Sequence, residues 1–467
     1  MKAFKGRAAR IIIVIIALLV SSAALAEEET LTLEEALGRA LVQNHYVKAK
    51  EYGVQATRYE LASATSAFFP RLFFEEKLTR GDYNSYAVFA RLNQETLTFQ
   101  NFLSPGTVTN YQSAFTAEMP VFVRELFVGR EMKRLSFLAK SREFDRFREE
   151  IALTTIQTYL SVVKSGALKN VAAESLEQAR EFHRVATARV RRGTGLHSDE
   201  LRAFVNLKER QAQVIRTDND HANAKMALGL ILSETRPFNA APSQALERIS
   251  LPPMDEALRD APEQRTDYLS DKHQTDQASS AVSLQKSRLF PKVQLSASYA
   301  TDSRDAPFGS GGEGYVVGVG LRWELFDKTL HDDIQRARLE QMRSAEYLAQ
   351  KKKEIGFQIH ESYRKVTETK NRVEVARDAV EQARESLRLI QLRYQNGLST
   401  LVELLDAHVA MTSAETNLIV AGTDFQEAAA KALFNSGTLL VTLQPWLERN
   451  EIPNPKHQIL NDGRDDK

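Results

Sequence analysis

The chain has 467 residues, of which 26% are charged and 43% are hydrophobic, so it can bury a large core and still face water. Lys and Arg total 62 and Asp and Glu total 61, so there is no basic excess of the kind that marks a nucleic-acid binder. The chain has no cysteine, which excludes disulfide frameworks, cysteine nucleophiles, Cys-ligated zinc and iron–sulfur clusters.

The first 26 residues have the pattern of a secretory signal peptide. Four basic residues precede an unbroken apolar run over residues 11–20, and Ala24-Leu25-Ala26 forms a small-x-small cleavage site. The run is too short for a comfortable membrane span, although an uncleaved anchor is the alternative. No later stretch approaches about 18 apolar residues, so we expect no transmembrane helix after cleavage. Export without disulfides fits the bacterial envelope.

The remaining chain repeats itself. Three segments recur, namely 69–72 at 290–293, 111–122 at 315–326 and 189–193 at 393–397. The first pair is offset by 221 residues and the other two by 204, so the first copy holds about 17 extra residues between Pro70 and Tyr111. Insertions of this kind are tolerated at exposed loop tips. Repeats of this length indicate a duplicated domain rather than a solenoid.

The repeats divide the chain into five parts. These are a signal peptide (1–26), a first repeat (27–232), a proline-rich connector (233–264), a second repeat (265–440) and a polar C-terminal tail (441–467). In each repeat the patterns predict a helix, a strand, a loop, a strand, a long helix, a turn and a second long helix. The loop is long and polar in the first repeat (80–110) and short and Gly-rich in the second (308–314).

The predicted strands alternate with a period of two. In 292–299 one face carries Val293, Leu295, Ala297 and Tyr299, and the other carries Gln294, Ser296 and Ser298. Residues 111–121 and 315–325 alternate in the same way. A length near ten residues with aromatic residues toward the ends is typical of membrane-barrel strands, and a soluble antiparallel sheet is the alternative.

Long helices follow the strands. Nothing interrupts the helical pattern from Phe326 to Asn396, which corresponds to roughly 100 Å of helix. Apolar residues recur there in steps of three and four: Val373, Ala376, Val380, Ala383, Leu387, Ile390 and Tyr394. This sustained period predicts a coiled-coil seam, and the short Gly turn that follows predicts an antiparallel helical hairpin.

The strand count demands more than one chain. Four membrane strands cannot close a barrel, which needs about eight, and open strand edges do not occur in lipid. We therefore predict a mixed α and β membrane protein, internally duplicated, with four transmembrane β-strands per chain contributing to an oligomeric β-barrel. A long α-helical coiled-coil barrel continues it.

Three motifs together resemble TolC-like outer membrane efflux proteins. They are the Phe-Pro-x-hydrophobic strand starts at Pro70 and Pro291, the Arg-Tyr-x-x-Gly run within 393–407, and residues 265–269, where Thr266 replaces a family Pro. The resemblance implies a homotrimer in outer-membrane lipid with its helical barrel in the periplasm. It also implies a passive exit duct for small molecules such as drugs and toxic compounds, fed by an inner-membrane transporter through a periplasmic adaptor protein.

Two alternatives stay open on the sequence. A duct of the same architecture serves type I protein secretion, and nothing in the chain decides the cargo. A soluble periplasmic coiled-coil scaffold is the second alternative. Such a protein would be extracted from cells without detergent and would form no conducting pore.

The resemblance also implies roles for the hairpin tips. The turn glycines Gly193 and Gly397, with Leu398 and Ser399, would meet the adaptor. The periplasmic entrance gate would consist of Glu403, Asp406, Asp199 and Tyr394, in which the first two form acidic rings and the last two form a latch. The family's third latch member is an Arg two residues after the turn Gly, where this chain has Ser399.

Elementary electrostatics supports the acidic rings without the resemblance. Copies of Glu403 and Asp406 around an axis would repel one another, attract cations and raise one another's pKa. The alternative is that both are ordinary exposed charges near a helix N-terminus, where acids are favoured.

The sequence contains no recognisable catalytic motif. The nine histidines are scattered without metal-ligand spacing, and neither a Gly-x-Ser-x-Gly motif nor a Walker-type loop occurs. We expect no catalytic residue, no metal, no cofactor and no enzyme activity. An envelope enzyme is the weakest alternative.

Overall fold

The computed structural model describes residues 29–242, 251–309 and 311–448. The signal peptide and residues 449–467 lie outside these ranges. The first repeat contains β1 (Thr30–Leu31), α1 (Leu33–Gln43), α2 (His45–Ser66), β2 (Arg71–Gly81), α3 (Asn84–Asn93), α4 (Phe99–Leu103), β3 (Val108–Phe122), α5 (Arg124–Arg191) and α6 (His197–Ile231). The connector contributes β4 (Asn239–Ala240) and α7 (Met254–Gln264). The second repeat contains α8 (Thr266–Ser287), β5 (Lys292–Ser303), β6 (Gly312–Arg322), α9 (Lys328–Gln395) and α10 (Leu401–Ser436), and α11 (Leu439–Glu448) follows.

The chain forms two compact units, which do not follow the repeat boundaries. Of the described residues, the first unit holds those up to Lys50, Asp145–Thr266 and those from Lys353 onward. The second unit holds Glu51–Phe144 and Asp267–Lys352. Each unit therefore combines segments from both repeats.

A four-stranded antiparallel sheet in the order β2-β3-β5-β6 dominates the second unit. Its register places Leu72, Ala117, Ala297 and Val317 in one cross-strand row. The next row on the same face is entirely aromatic: Phe74, Phe115, Tyr299 and Tyr315. Since successive side chains alternate between faces, the opposite face carries mainly polar and small residues. Within the described residues, β2 and β6 each pair on one side only.

Two sequence predictions in this unit need correction. The last strand ends at Arg322 rather than Leu325, and the indole N–H of Trp323 instead donates to the carbonyl of Leu289 at 3.1 Å. The longer loop of the first copy is not simply a polar loop, because it contains the helices α3 and α4. The buried Ala87 and Ala90 of α3 pack against Val108, which supplies the apolar contact that a short helix needs.

The first unit contains α6, α10 and the parts of α5 and α9 from Asp145 and Lys353 onward, and contacts link them in the sequence α6-α5-α10-α9. Helices α6 and α5 are joined by the pair Lys169–Asp218 at 3.1 Å, and α5 contacts α10 where Ser175 Oγ lies 3.1 Å from His408 Nε2. Helices α10 and α9 are joined by the pair Arg372–Asp424 at 3.2 Å. In these three contacts α5 and α10 each meet two long helices, whereas α6 and α9 each meet one.

The helical periodicity predicts the buried face of α9 correctly. All seven seam residues from Val373 to Tyr394 are buried or half-buried, and most residues between them are exposed. Helices α6 and α9 also expose large apolar side chains on other faces. These include Val205, Ile215 and Leu230 on α6 and Phe357, Val375 and Leu392 on α9.

Short segments outside the long helices pack against α5 and α10 in the first unit. The two short strands β1 and β4 pair in parallel, and the buried Tyr159 hydroxyl of α5 lies 2.6 Å from the Ala241 carbonyl and 3.1 Å from that of Leu31. Residues 441–448, which the sequence placed in the polar tail, belong instead to α11. Its Leu439 and Leu443 are fully buried, which explains why this part is helical.

Candidate functional site

The two hairpin turns of the first unit have the same backbone geometry. Gly193 and Gly397 both have φ of +73°, a left-handed conformation that favours glycine. In the first turn Thr194 N–H donates to the Arg189 carbonyl at 3.0 Å, and in the second Leu398 N–H donates to the Arg393 carbonyl at 2.8 Å. These bonds satisfy carbonyls at the helix ends, as in other glycine-terminated helices. The two tips are therefore repeats in structure as well as sequence.

The second turn continues into a capping box at the start of α10. Thr400 is the N-cap residue; its hydroxyl accepts from Glu403 N–H at 3.3 Å, and the Glu403 carboxylate accepts from Thr400 N–H at 3.4 Å. The Ser399 hydroxyl also donates to this carboxylate. The Ser399 and Thr400 hydrogen bonds lower the pKa of Glu403 below its ordinary value, so the acid is ionised at neutral pH. Asp406 lies exposed further along α10.

Tyr394 is the buried member of the site. It is 8% exposed in a cluster drawn from all four long helices: Phe182, Ala186, Ala203, Leu401 and Leu404. Burial raises the pKa of its hydroxyl, the nearby Arg189 opposes this rise and the charge of Asp199 adds to it. Tyr394 is therefore protonated at neutral pH and can donate a hydrogen bond.

Arg189 is the functional candidate that sequence analysis missed. Its guanidinium carbon lies 4.3 Å from the Tyr394 ring centroid, and its Nη2 donates to the Tyr394 carbonyl at 3.2 Å. This cation–π contact joins the tip of α5 to the end of α9. The repeat aligns Arg189 with Arg393, but a contact between two hairpins has no signature in a sequence period.

The predicted site residues therefore fall into two groups. The charge of Asp199 acts on Tyr394, and Arg189 contacts the same tyrosine. Glu403 is engaged in its own helix cap and Asp406 is exposed, so within one chain they form no cluster with the first group. Gly193, Gly397 and Leu398 lie at the exposed tips, and Ser399 is half-buried.

No metal site or membrane-crossing helix appears in the described part of the chain. Over residues 29–242, 251–309 and 311–448, no three His, Asp or Glu side chains are placed to hold a metal ion. None of the helices described combines the length and the hydropathy needed to cross a bilayer.

The comparison with protein families decides the identity of the chain. The outer membrane efflux protein family model matches residues 36–234 and 257–434, once in each repeat. The chain belongs to the outer membrane efflux protein family. It is an outer-membrane efflux channel with its helical part in the periplasm, and not an enzyme. Family membership sets aside the soluble scaffold and the soluble sheet.

Solved channel structures share the fold of this efflux protein. CusC aligns with a TM-score of 0.75 at 16% identity, covering 87% of this chain and 92% of CusC. The CmeC outer membrane channel of Campylobacter jejuni aligns with a TM-score of 0.73 at 15% identity, covering 87% and 86%. The open state of MtrE from Neisseria gonorrhoeae aligns with a TM-score of 0.73 at 18% identity, covering 87% and 89%. The predicted fold class is confirmed.

A curated relative of this efflux protein has a secretion role. The alkaline protease secretion protein AprF of Pseudomonas aeruginosa is 22% identical over 398 residues, covering 82% of this chain and 80% of AprF. AprF is named for the secretion of a protease, whereas CusC, CmeC and MtrE are described only as channels.

Proposed function

We propose that three copies of this chain form a passive exit duct that releases small molecules across the outer membrane. The observation that carries the proposal is the pair of open edges in each chain. Strands β2 and β6 lack a second partner among the described residues, and α6 and α9 expose large apolar side chains. Lipid does not tolerate unpaired strand edges, so β6 of one copy pairs with β2 of the next.

The number of copies follows from the space inside the barrel. Two copies would supply eight strands, and eight-stranded barrels are filled by their own side chains. Three copies supply twelve strands and leave room for a water-filled pore. The apolar face, with its aromatic row, then meets outer-membrane lipid and the polar face lines the pore.

The hairpin tips form the periplasmic entrance in this proposal. Arg189 holds the two hairpins of one chain together through Tyr394, and the charge of Asp199 acts on the same tyrosine. Glu403 and Asp406 of three copies ring the opening. The exposed tips at Gly193, Gly397, Leu398 and Ser399 meet a periplasmic adaptor protein, which connects the duct to an energised inner-membrane transporter. The duct itself supplies no energy.

The AprF similarity supports protein secretion as a second candidate function. Deleting the gene separates the two. Small-molecule efflux predicts greater susceptibility to toxic compounds, which the intact gene reverses, and an unchanged set of secreted proteins. Loss of a protein from the culture medium at unchanged susceptibility would instead establish secretion. A detergent-free folded monomer that leaves liposomes watertight would refute both.

A further inference from the structure

We propose that residues 84–103, between β2 and β3, form a lid that folds over the pore side of the sheet and closes the outer mouth by meeting the same segment of neighbouring copies. The proposal rests on the trimeric pore described above. The lid lies at the end of the sheet that is opposite to the ends joined to helices α2 and α5. Because the helices are periplasmic, this end of the sheet faces the cell exterior.

The lid is anchored to the sheet by buried polar contacts. Gln94 is 1% exposed, and its side-chain amide donates to the Thr109 carbonyl at 2.8 Å and to Asn110 Oδ1 at 2.7 Å. The Asn110 amide in turn donates to Asp302 of β5. Arg91 donates to the carbonyl of Pro105 at 3.1 Å. These bonds hold the segment in one position, unlike an unattached loop.

Strand register identifies the face that the lid covers. Gln112, Asp302 and Gly312 form one cross-strand row, and this row belongs to the polar face. Asn110, two residues before Gln112, points to the same face. The buried contacts of Gln94 are therefore made on the side that lines the proposed pore.

Gly312 shows how closely the lid approaches this face. A Cβ at Gly312 would lie 2.0 Å from the Asn93 carbonyl oxygen, so only glycine fits beneath the lid. The second loop of the same sheet end covers the other face. Phe308 stacks on Phe74 of the aromatic row at 5.3 Å, and its N–H donates to Ser113 Oγ at 3.1 Å. The two loops at this end of the sheet therefore cover different faces: the lid covers the pore face, and the loop that contains Phe308 covers the lipid face.

The outer surface of the lid is apolar and largely uncharged. Large side chains are exposed there: Phe89, Leu92, Phe99, Phe102 and Leu103. The segment 84–103 has only two charged residues, Arg91 and Glu95. An apolar surface of this kind in water needs a partner. Since the lid leaves the open-edge strand β2 and leans toward the pore, that partner is the lid of a second copy, continuous with the β2–β6 contact between copies.

The chain has no cysteine, so single-cysteine variants can test the lid directly. Phe102→Cys is expected to form disulfide-linked dimers when intact cells are treated with a thiol oxidant, which accepts the two electrons that disulfide formation releases. Asp305→Cys, in the loop over the lipid face, is the matched control and is expected to remain monomeric. Absence of Phe102→Cys dimers in correctly assembled trimers would overturn the contact between lids. The same result is expected if the apolar surface faces lipid or a different partner.

A second experiment measures closure. Ser298→Cys, which faces the pore beside Thr116, is labelled from outside intact cells with a small and a bulky membrane-impermeant maleimide. Gln94→Ala or Gly312→Val, each added to Ser298→Cys, loosens the lid. We expect bulky-reagent labelling to rise about tenfold, as for a loss of about 1.4 kcal/mol, while small-reagent labelling changes little.

Each outcome of the labelling is decisive. Equal bulky-reagent labelling with and without the lid variants, in trimers confirmed by heat-modifiable gel migration, overturns the lid and leaves the pore intact. Failure of even the small reagent to reach Ser298→Cys in every variant overturns the pore and the lid together. The two variants act at different points, so misfolding of one leaves the other to decide.

Discussion

The guanidinium of Arg189 lies over the ring of Tyr394 at 4.3 Å and donates to the carbonyl of the same residue at 3.2 Å. One side chain of the first hairpin therefore holds both the side chain and the backbone of the second. In the latch of the TolC-like family, an Arg occupies the position that Ser399 has in this chain. Here Ser399 instead donates to Glu403, and the arginine that contacts Tyr394 comes from the opposite hairpin.

Replacing Arg189 with Ala is expected to open the periplasmic entrance. A partly buried cation–π contact and one hydrogen bond together contribute about 1.4 kcal/mol, so the open population should rise about tenfold. Single-channel recording in planar bilayers measures this change. Arg192→Ala is the control, because among the contacts observed Arg192 contacts only the Ala188 carbonyl, in the last turn of the helix that precedes it. Equal conductance in wild type and Arg189→Ala would contradict the role of Arg189.

The double variant Glu403→Ala with Asp406→Ala is expected to raise conductance and weaken block by divalent cations. Removing both rings removes the negative potential that attracts cations to a narrow opening. Glu403→Gln separates charge from helix capping, because glutamine can keep the capping-box hydrogen bond without the charge. If the charge forms the gate, Glu403→Gln weakens cation block as Glu403→Ala does. If only Glu403→Ala has an effect, the residue acts as a cap.

Acidification should destabilise the helical seam through His408. This residue is 5% exposed, its Nε2 contacts Ser175, and Phe182 and the charge of Arg210 face it. Burial, followed by Arg210, lowers its pKa below the ordinary 6.5, so the folded state binds the proton less well than the unfolded state. The stability contribution is full above about pH 6.5 and is lost as the pH falls.

Thermal unfolding at a series of pH values tests this dependence. His408→Gln removes the titrating group, and its melting temperature should fall less than that of the wild type between about pH 7 and pH 5. His197→Gln, at an exposed position, should follow the wild-type curve. Parallel curves for wild type and His408→Gln would show that His408 is not responsible for the loss.

Tyr159→Phe is expected to destabilise the first unit by about 1–2 kcal/mol, because the half-buried carbonyl of Ala241 loses a hydrogen-bond donor. The Leu31 carbonyl keeps its bond from Ala241 N–H at 3.0 Å, which limits the loss. Chemical denaturation of the purified protein measures the change. Tyr46→Phe at a site 74% exposed is the control, and a loss of equal size there would rule out the buried hydroxyl as the cause.

Local patterns in the sequence were sufficient to predict the duplication, the strands, the long helices and the buried seam of α9. The duplication is visible as segments that recur at offsets of 204 and 221 residues. The strands and the helical seam depend on periods of two and 3.5 residues, which are properties of neighbouring residues. The end of the last strand was predicted wrongly because a single tertiary contact determines it: the Trp323 indole N–H donates to the Leu289 carbonyl, outside the strand.

Only the tertiary structure decided which residues meet across the repeats. The contact of Arg189 with Tyr394 joins residues 205 positions apart, and that of Asn110 with Asp302 joins residues 192 apart. No period in the sequence encodes such pairs, because they depend on how the helices and strands pack. For the same reason a polar loop between two strands could be located from sequence, whereas its helices, its anchor at Gln94 and the face it covers could not.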